Sequence, residues 1–282
     1  MTDESMVIYE TAAPGVARLT INRPHARNAQ NLDVLHGLDD AFTRAMREED
    51  VRVIVLAAAG PDFSAGHDLR QGLGEEKAER FGHRSPNGNF SAPGGAGYLA
   101  REDEAYLQMS RRWRNLAKPT IAQVHGRCIA GGLILAWVCD LIIASEDATF
   151  VDPVVAWGGA GIEYFAYPWE FGPRKAKEFL FTGDVFTAQE AWRLGMVNHV
   201  VPSGELPEAT LNLAKKIASK PAFALRAAKQ SVNAALDAQG QANAMDTAFH
   251  IHHLTHFHNQ LLHGGMVDAA VMPPMWTEKK LK

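Results

Sequence analysis

The segment Phe63-Ser64-Ala65-Gly66-His67-Asp68-Leu69 is built largely from small residues and follows a β-branched run, Val51 to Ala57 (VRVIVLA), across the turn-forming Gly60-Pro61-Asp62. A second segment of the same kind, His125-Gly126-Arg127-Cys128-Ile129-Ala130-Gly131-Gly132-Leu133, follows another apolar run, Pro119 to His125 (PTIAQVH). Near-continuous apolar runs of this length read as strands buried on both faces. Small residues at the strand ends let the backbone approach a ligand closely. A glycine pair opening a helix leaves N–H groups without intrahelical partners, which suits them to a negative oxygen. Two such donors from separate strand ends would polarise one carbonyl and stabilise the oxyanion or enolate formed from it. Tight turns that need glycine for geometry alone are the alternative for each segment taken singly. Neither segment has the glycine spacing of a dinucleotide or P-loop site.

Outward from these segments, Val16 to Ile21 alternates as a strand and stops at Arg23-Pro24. From Leu32, the residues Leu35, Leu38, Phe42 and Met46 recur at steps of three and four, one face of an amphipathic helix. Gly72 to Ala100 is rich in Gly, Pro, Ser and Asn and reads as a long mobile loop. Helix is expected over 102–116 and 131–138, and strand over 141–144. After Pro168 the pattern becomes almost wholly helical: 174–181, 188–194, and long helices from about Glu205 onward. Alternating strands and helices followed by helices alone predict an α/β core, residues 1–204, and a C-terminal helical region, 205–282.

The bulk composition fits a globular protein, with 46% hydrophobic and 21% charged residues. A net charge of −4 argues against a nucleic-acid partner. Two cysteines, Cys128 and Cys139, exclude a four-cysteine zinc site and make a disulfide framework unexpected. The start lacks a secretory pattern, and the most apolar stretch, 131–144, is interrupted by Asp140 and too short to span a bilayer. The expectation is a cytoplasmic protein with no membrane association.

Taken together, the ordered segments resemble the crotonase (enoyl-CoA hydratase/isomerase) superfamily. The resemblance rests on Ile21-Asn22-Arg23-Pro24 with Asn28-Ala29, Ser64 to Leu69, Lys118 to Ala122, Val124-His125-Gly126, Ala130-Gly131-Gly132, Cys139-Asp140, Phe181-Thr182-Gly183 and Ala191 to Val200. It implies a spiral of ββα units with C-terminal helices that assemble a homotrimer or homohexamer. It implies an acyl-CoA substrate whose thioester oxygen is held by the N–H groups of Ala65 and Gly131, with no cofactor beyond the coenzyme A of the substrate. Gly66, His67, Asp68 and Leu69 would lie along the acyl-CoA, and the residues near Arg23 to Arg27, Arg27 above all, would contact the CoA moiety. The 72–100 loop would lie beside the acyl pocket.

Hydratases of this family place two glutamates around the substrate; here those positions fall on Ile134 and Val154, neither of which can carry a proton. Glu163, in Trp157 to Tyr164, lies where some relatives place a catalytic acid near a helix start. In an apolar pocket its pKa would rise and suit it to shuttling a proton; as a solvent-facing residue of a helix's first turn it would only complement the dipole. Asp152 and His67 are weaker candidates, and Asp68 reads as a turn-pinning residue. The histidines from His250 to His263 include the helix-face pairs His252/His256 and His250/His253, yet no zinc-protease motif, and no bound metal is expected. One of them, or Tyr164, is a candidate for reaching a neighbouring subunit. The implied activity is acyl-CoA chemistry through an enolate, with double-bond isomerisation the simplest fit to one carboxylate. A non-catalytic acyl-CoA-binding homologue and a crotonase-fold hydrolase are the alternatives.

Overall fold

Because apolar, β-branched runs are stable only where both faces are covered, the strands of this chain end up between helical layers. The computed structural model describes residues 5–71, 86–88, 90–268 and 270–271. Strands β1 (Val7–Ala13) and β2 (Val16–Ile21) form an antiparallel hairpin that turns at Gly15. Helix α1 (Leu32–Arg47) is capped by the Asn31 side chain, which accepts from the Val34 N–H, and buries Leu35, Leu38 and Phe42. Strand β3 (Val53–Ala58) runs parallel to β2. Next come α2 (Gly95–Glu102), a π-helical stretch Asp103–Gln108 and α3 (Met109–Arg114), which are contiguous.

The middle of the chain repeats one unit. Strand β4 (Thr120–Val124) joins the large sheet, β5 (Arg127–Ile129) joins a small one, and α4 (Gly131–Trp137) returns. Strands β6 (Leu141–Ser145) and β7 (Thr149–Val151) divide in the same way, followed by a 3-10 turn Val154–Trp157, α5 (Tyr167–Phe171) and α6 (Pro173–Thr182). Then come β8 (Phe186–Thr187), α7 (Ala188–Arg193) and β9 (His199–Val201). The large sheet has the order β1-β2-β3-β4-β6-β9, parallel from β2 onward, and the small sheet the order β5-β7-β8. This is the expected α/β spiral of ββα units. Helices α8 (Leu206–Ala218), α9 (Ala222–Ala238) and α10 (Gln241–His263) are the last helices among the described residues.

Three expectations change. Helix α2 begins at Gly95, inside the stretch read as a loop, and Phe90 and Ala100 are buried. Glycines at 94, 95 and 97 hid the helical signal; at Gly97 a side chain would strike the Ala92 carbonyl at 2.1 Å. Residues 72–85 and 89 of the expected loop lie outside the described residues. The region after Pro168 contains β8 and β9, too short to show a period. Finally, α8 packs on the large sheet, where Leu206 and Ala214 join Val16, Val53, Val55, Ile121 and Ile143. A boundary at 204/205 therefore cuts through the core, and the appended part starts at α9, which buries none of its residues. Leu206→Ala should lower stability by about 2–5 kcal/mol in urea unfolding; a loss under about 0.5 kcal/mol, the scale of a surface change, would return α8 to the appendage.

Candidate active site

The two glycine-bearing segments meet edge to edge. The Ser64 N–H donates to the Arg127 carbonyl at 3.1 Å, and the Ile129 N–H donates to the Ser64 carbonyl at 2.9 Å. On the other side, the Gln30 N–H donates to the Gly66 carbonyl (2.8 Å) and the Asp68 N–H to the Gln30 carbonyl (2.9 Å). A side chain on Gly66, whose φ is +86°, would lie 2.8 Å from the Ile129 carbonyl and 3.1 Å from the Gly131 nitrogen. Asp68 pins the turn, as expected. One of its oxygens accepts from the Arg70 and Gln71 N–H groups, and the other pairs with Arg23 at 2.7 Å. Burial pushes its pKa up, but Arg23 and the two amides outweigh this and hold it below the usual carboxylate range.

This stitching decides which amides are free. The Ala65 N–H donates to the Arg27 carbonyl at 2.9 Å, so it does not face the site, contrary to the expected role. The Gly66 N–H donates to Ser64 Oγ at 3.2 Å. Residues 66 and 68 both bond Gln30, so the alternation of an extended chain turns the intervening His67 N–H the other way. Among the described residues, no acceptor takes the His67 N–H or the Gly131 N–H, the latter in the first turn of α4. The free pair is thus His67 and Gly131.

Ile134 is buried on α4, and Val154 is half-buried at the start of the 3-10 turn. Both are aliphatic. Asp152, fully buried, accepts from the Val154 N–H at 2.9 Å and from the Tyr167 hydroxyl. Burial pushes its pKa up to about 6, and its partners make it a structural anchor.

Glu163 lies in an irregular stretch between the 3-10 turn and α5, not at a helix start, and is only 3% exposed. Its Oε2 is 3.0 Å from His67 Nε2, and its Oε1 is 3.5 Å from His252 Nε2. The His67 ring stacks on Tyr106 with centroids 3.7 Å apart and lies across Gly131, where an added Cβ would be 2.6 Å from His67 Cε1. Burial alone would raise the Glu163 pKa, but the His67 imidazole outweighs it and lowers the pKa. Burial alone would depress His67, yet Glu163 outweighs that and raises it. The expected upward shift of Glu163 is therefore reversed, because its nearest neighbours are imidazoles and not aliphatic groups. Both shifts favour the imidazolium–carboxylate form of the pair, a base with a proton donor beside it.

A family model described as enoyl-CoA hydratase/isomerase matches residues 11–89 and 96–278. The chain belongs to the enoyl-CoA hydratase/isomerase family. It is 47% identical over 92% of its length to a Mycobacterium tuberculosis protein named "Putative enoyl-CoA hydratase EchA13", covering 83% of that protein. A crystal structure of a probable enoyl-CoA hydratase from Mycobacterium smegmatis superposes with a TM-score of 0.84 at 46% identity, covering 93% of this chain and 98% of that one. An enoyl-CoA hydratase/isomerase from Xanthobacter autotrophicus Py2 gives 0.76 at 30% identity, with 99% of both chains covered.

Within this enoyl-CoA hydratase/isomerase chain, Arg27 lies beside the site with its side chain 56% exposed and paired to Asp62 at 2.9 Å. Arg127, which the sequence did not single out, pairs with the same Asp62 at 2.7 Å. Arg23 is buried against Asp68 and is not available to a ligand. Leu69 is exposed, and Tyr164 is buried inside its own chain. Tyr106 and Glu102 were also missed; Glu102 ends α2, and Tyr106 lies in the π-helical stretch that continues it. His252 and His256 do share a face, as their spacing indicated, and turn inward with His253, while His250 stays exposed.

The His67–Glu163 pairing has a signed consequence for pH. A raised His67 pKa adds stability below its ordinary 6.5 that is lost as pH rises through the folded value. A lowered Glu163 pKa adds stability above its ordinary 4.5 that is lost as pH falls through the folded value. The pair thus contributes most between the two. In Glu163→Gln the largest upward influence on the imidazole is lost while burial still lowers its pKa and Glu102 and Asp152 still raise it, so its NMR titration should move to lower pH. An unchanged midpoint would mean that Glu163 does not set the charge of His67.

Proposed function

We propose that this protein moves protons on an enoyl-CoA thioester, shifting the double bond through an enolate. The observation that carries this reading is the buried, charged Glu163–His67 pair placed against the free N–H groups of His67 and Gly131. The Glu163 carboxylate removes a proton from C2 of a 3-enoyl-CoA. The electron pair passes to the thioester oxygen, which the two N–H groups hold. The proton then returns at C4, giving the 2-enoyl-CoA, so one carboxylate serves as base and then as acid. The adjacent imidazolium keeps that carboxylate ionised in its buried setting and lies against Gly131, where negative charge develops. Ile134 and Val154, aliphatic where hydratases of the family carry glutamates, leave the acyl chain apolar walls and no second acid. Arg27 offers its guanidinium to the CoA phosphates from beside the site.

Incubation with crotonyl-CoA and with 2- and 3-enoyl-CoAs, followed by mass spectrometry and chromatography, tests this directly. The expected result is a shifted double bond at constant mass. Glu163→Gln should lose on the order of 10²–10⁴-fold in turnover with substrate binding intact. A gain of one water would replace isomerisation with hydration on the same dyad, the activity that the names of the relatives carry. Tight binding without product would favour a non-catalytic acyl-CoA-binding protein, and no affinity for any CoA ester would favour a hydrolase of another substrate.

The fold also supports self-association as a homotrimer or homohexamer. Helices α9 and α10 expose Phe223 (81%), Leu254 (66%) and Leu261 (87%) in the single chain, an apolar surface that a monomer would not keep dry. The free, buried thiols of Cys128 and Cys139 fit a reducing compartment such as the cytoplasm. Among the described residues, no helix is long and apolar enough to cross a membrane. Light scattering on Phe223→Glu/Leu261→Glu should show a smaller species than the wild type; an unchanged mass would place the interface elsewhere.

A further inference from the structure

Behind the Glu163–His67 pair is a second cluster that the proposed reaction does not use. Glu102, on α2, faces His252, His253 and His256, on α10, and all four side chains are buried. One donor atom each from Glu102, His252 and His256 falls within 4.8 Å of the other two. Several of the converging atoms have no hydrogen-bond partner: Glu102 Oε2, His252 Nε2 and both nitrogens of His253. Glu102 Oε2 lies 3.1 Å from His253 Nε2 and 3.7 Å from His256 Nε2.

The outer nitrogens of two rings settle which inner atoms are free. His252 Nδ1 is 2.7 Å from the Gly161 carbonyl, and His256 Nδ1 is 2.9 Å from the Met266 carbonyl. A carbonyl oxygen only accepts, so each Nδ1 carries the hydrogen and each Nε2 of the neutral ring presents its lone pair. Two imidazole lone pairs and a carboxylate oxygen then point at one another in a buried space. Without a cation between them they repel. A proton on one ring satisfies one contact and leaves the other lone pair unpaired, and protons on both would place two charges on rings whose centroids are 4.3 Å apart. A single ion between the three donors removes the conflict. The Nδ1–H bonds to backbone carbonyls are the outer-shell contacts that orient metal-bound histidines.

We propose that Glu102, His252 and His256 bind a divalent transition-metal ion of the zinc type. Two imidazoles and one carboxylate suit zinc or its neighbours better than magnesium or calcium, which prefer all-oxygen sites. Ligand atoms around a tetrahedral ion sit about 3.4 Å apart at ordinary bond lengths of about 2.1 Å, so the three donors need to close by little more than an ångström. Three protein ligands leave the fourth position of the shell to water. The ion would clamp α10 to α2 and fix the imidazole wall behind Glu163. The proposal does not depend on the acid–base reading of Glu163, since metal content is measured without substrate.

The test uses the full-length protein, stripped with a chelator and reloaded separately with Zn²⁺, Co²⁺, Fe²⁺ and Mg²⁺. The expected result is one zinc per chain retained through dialysis, a rise in Tm on zinc addition, visible absorption bands with Co²⁺, and no retention of Mg²⁺. Glu102→Gln and His256→Gln should each lose the ion, while His250→Gln and His258→Gln, exposed on the same helix, should keep it. If the buried variants do not fold, the Co²⁺ spectrum of the wild type decides, because an ion on surface histidines would vanish in His250→Gln/His258→Gln. Less than about a tenth of an ion per chain with every metal, or retention that depends only on the exposed histidines, would overturn the proposal and leave a proton-bridged network.

Discussion

Gly66 has no room for a side chain, and the architecture of the site follows from that contact. Its α-carbon sits where a methyl would press on the Ile129 carbonyl and the Gly131 nitrogen. Two strand ends, one after β3 and one after β4, are therefore held as closely as backbones allow. Their closeness brings the His67 and Gly131 amides into one region and lets the His67 ring lie across Gly131, which in turn must lack a side chain. A ring held between Gly131 and Tyr106 turns its Nε2 to Glu163 and leaves its buried Nδ1 without a hydrogen-bond partner among the described residues.

The sequence showed the backbone half of this site and not the side-chain half. Buried strands and glycine-bearing strand ends follow from composition and period, so β2, β3, β4, β6 and the α4 start were readable. Which amide of Ser64 to Asp68 is free was not, because it depends on Gln30 crossing alongside, a pairing between residues far apart in sequence. Ala65 was the wrong choice for that reason: its N–H meets the Arg27 carbonyl. Glu163 was found by position, but its charge state was misjudged, since neither His67 nor His252 is near it in the chain. Tyr106 and Glu102 were hidden behind a glycine-rich stretch that read as loop and turned out to end in helix.

The helix carrying Tyr106 is not regular. Its middle, Asp103–Gln108, is π-helical, a geometry that inserts a residue into a turn and is frequent at functional sites. The inserted residue changes the angle between the residues on either side. Glu102, before it, faces α10, while Tyr106, inside it, reaches His67. A regular helix would carry residues four apart on one face; the wider turn lets one short helix serve both clusters.

Burying two carboxylates this deeply is unfavourable unless positive or hydrogen-bonding groups surround them. Here the groups that face Glu163 and Glu102 come from two stretches distant from them in sequence: the His67 turn and α10. Glu163 touches His67 on one side and His252 on the other, so the pair beside the free amides depends on α10 being docked. That helix also carries the exposed apolar residues Leu254 and Leu261 on its opposite side. A subunit packed there would press α10 inward, onto the acids. Were a second chain to cover that outer side, assembly and the electrostatics of the site would share one helix, and loss of the outer contact would loosen the inner one.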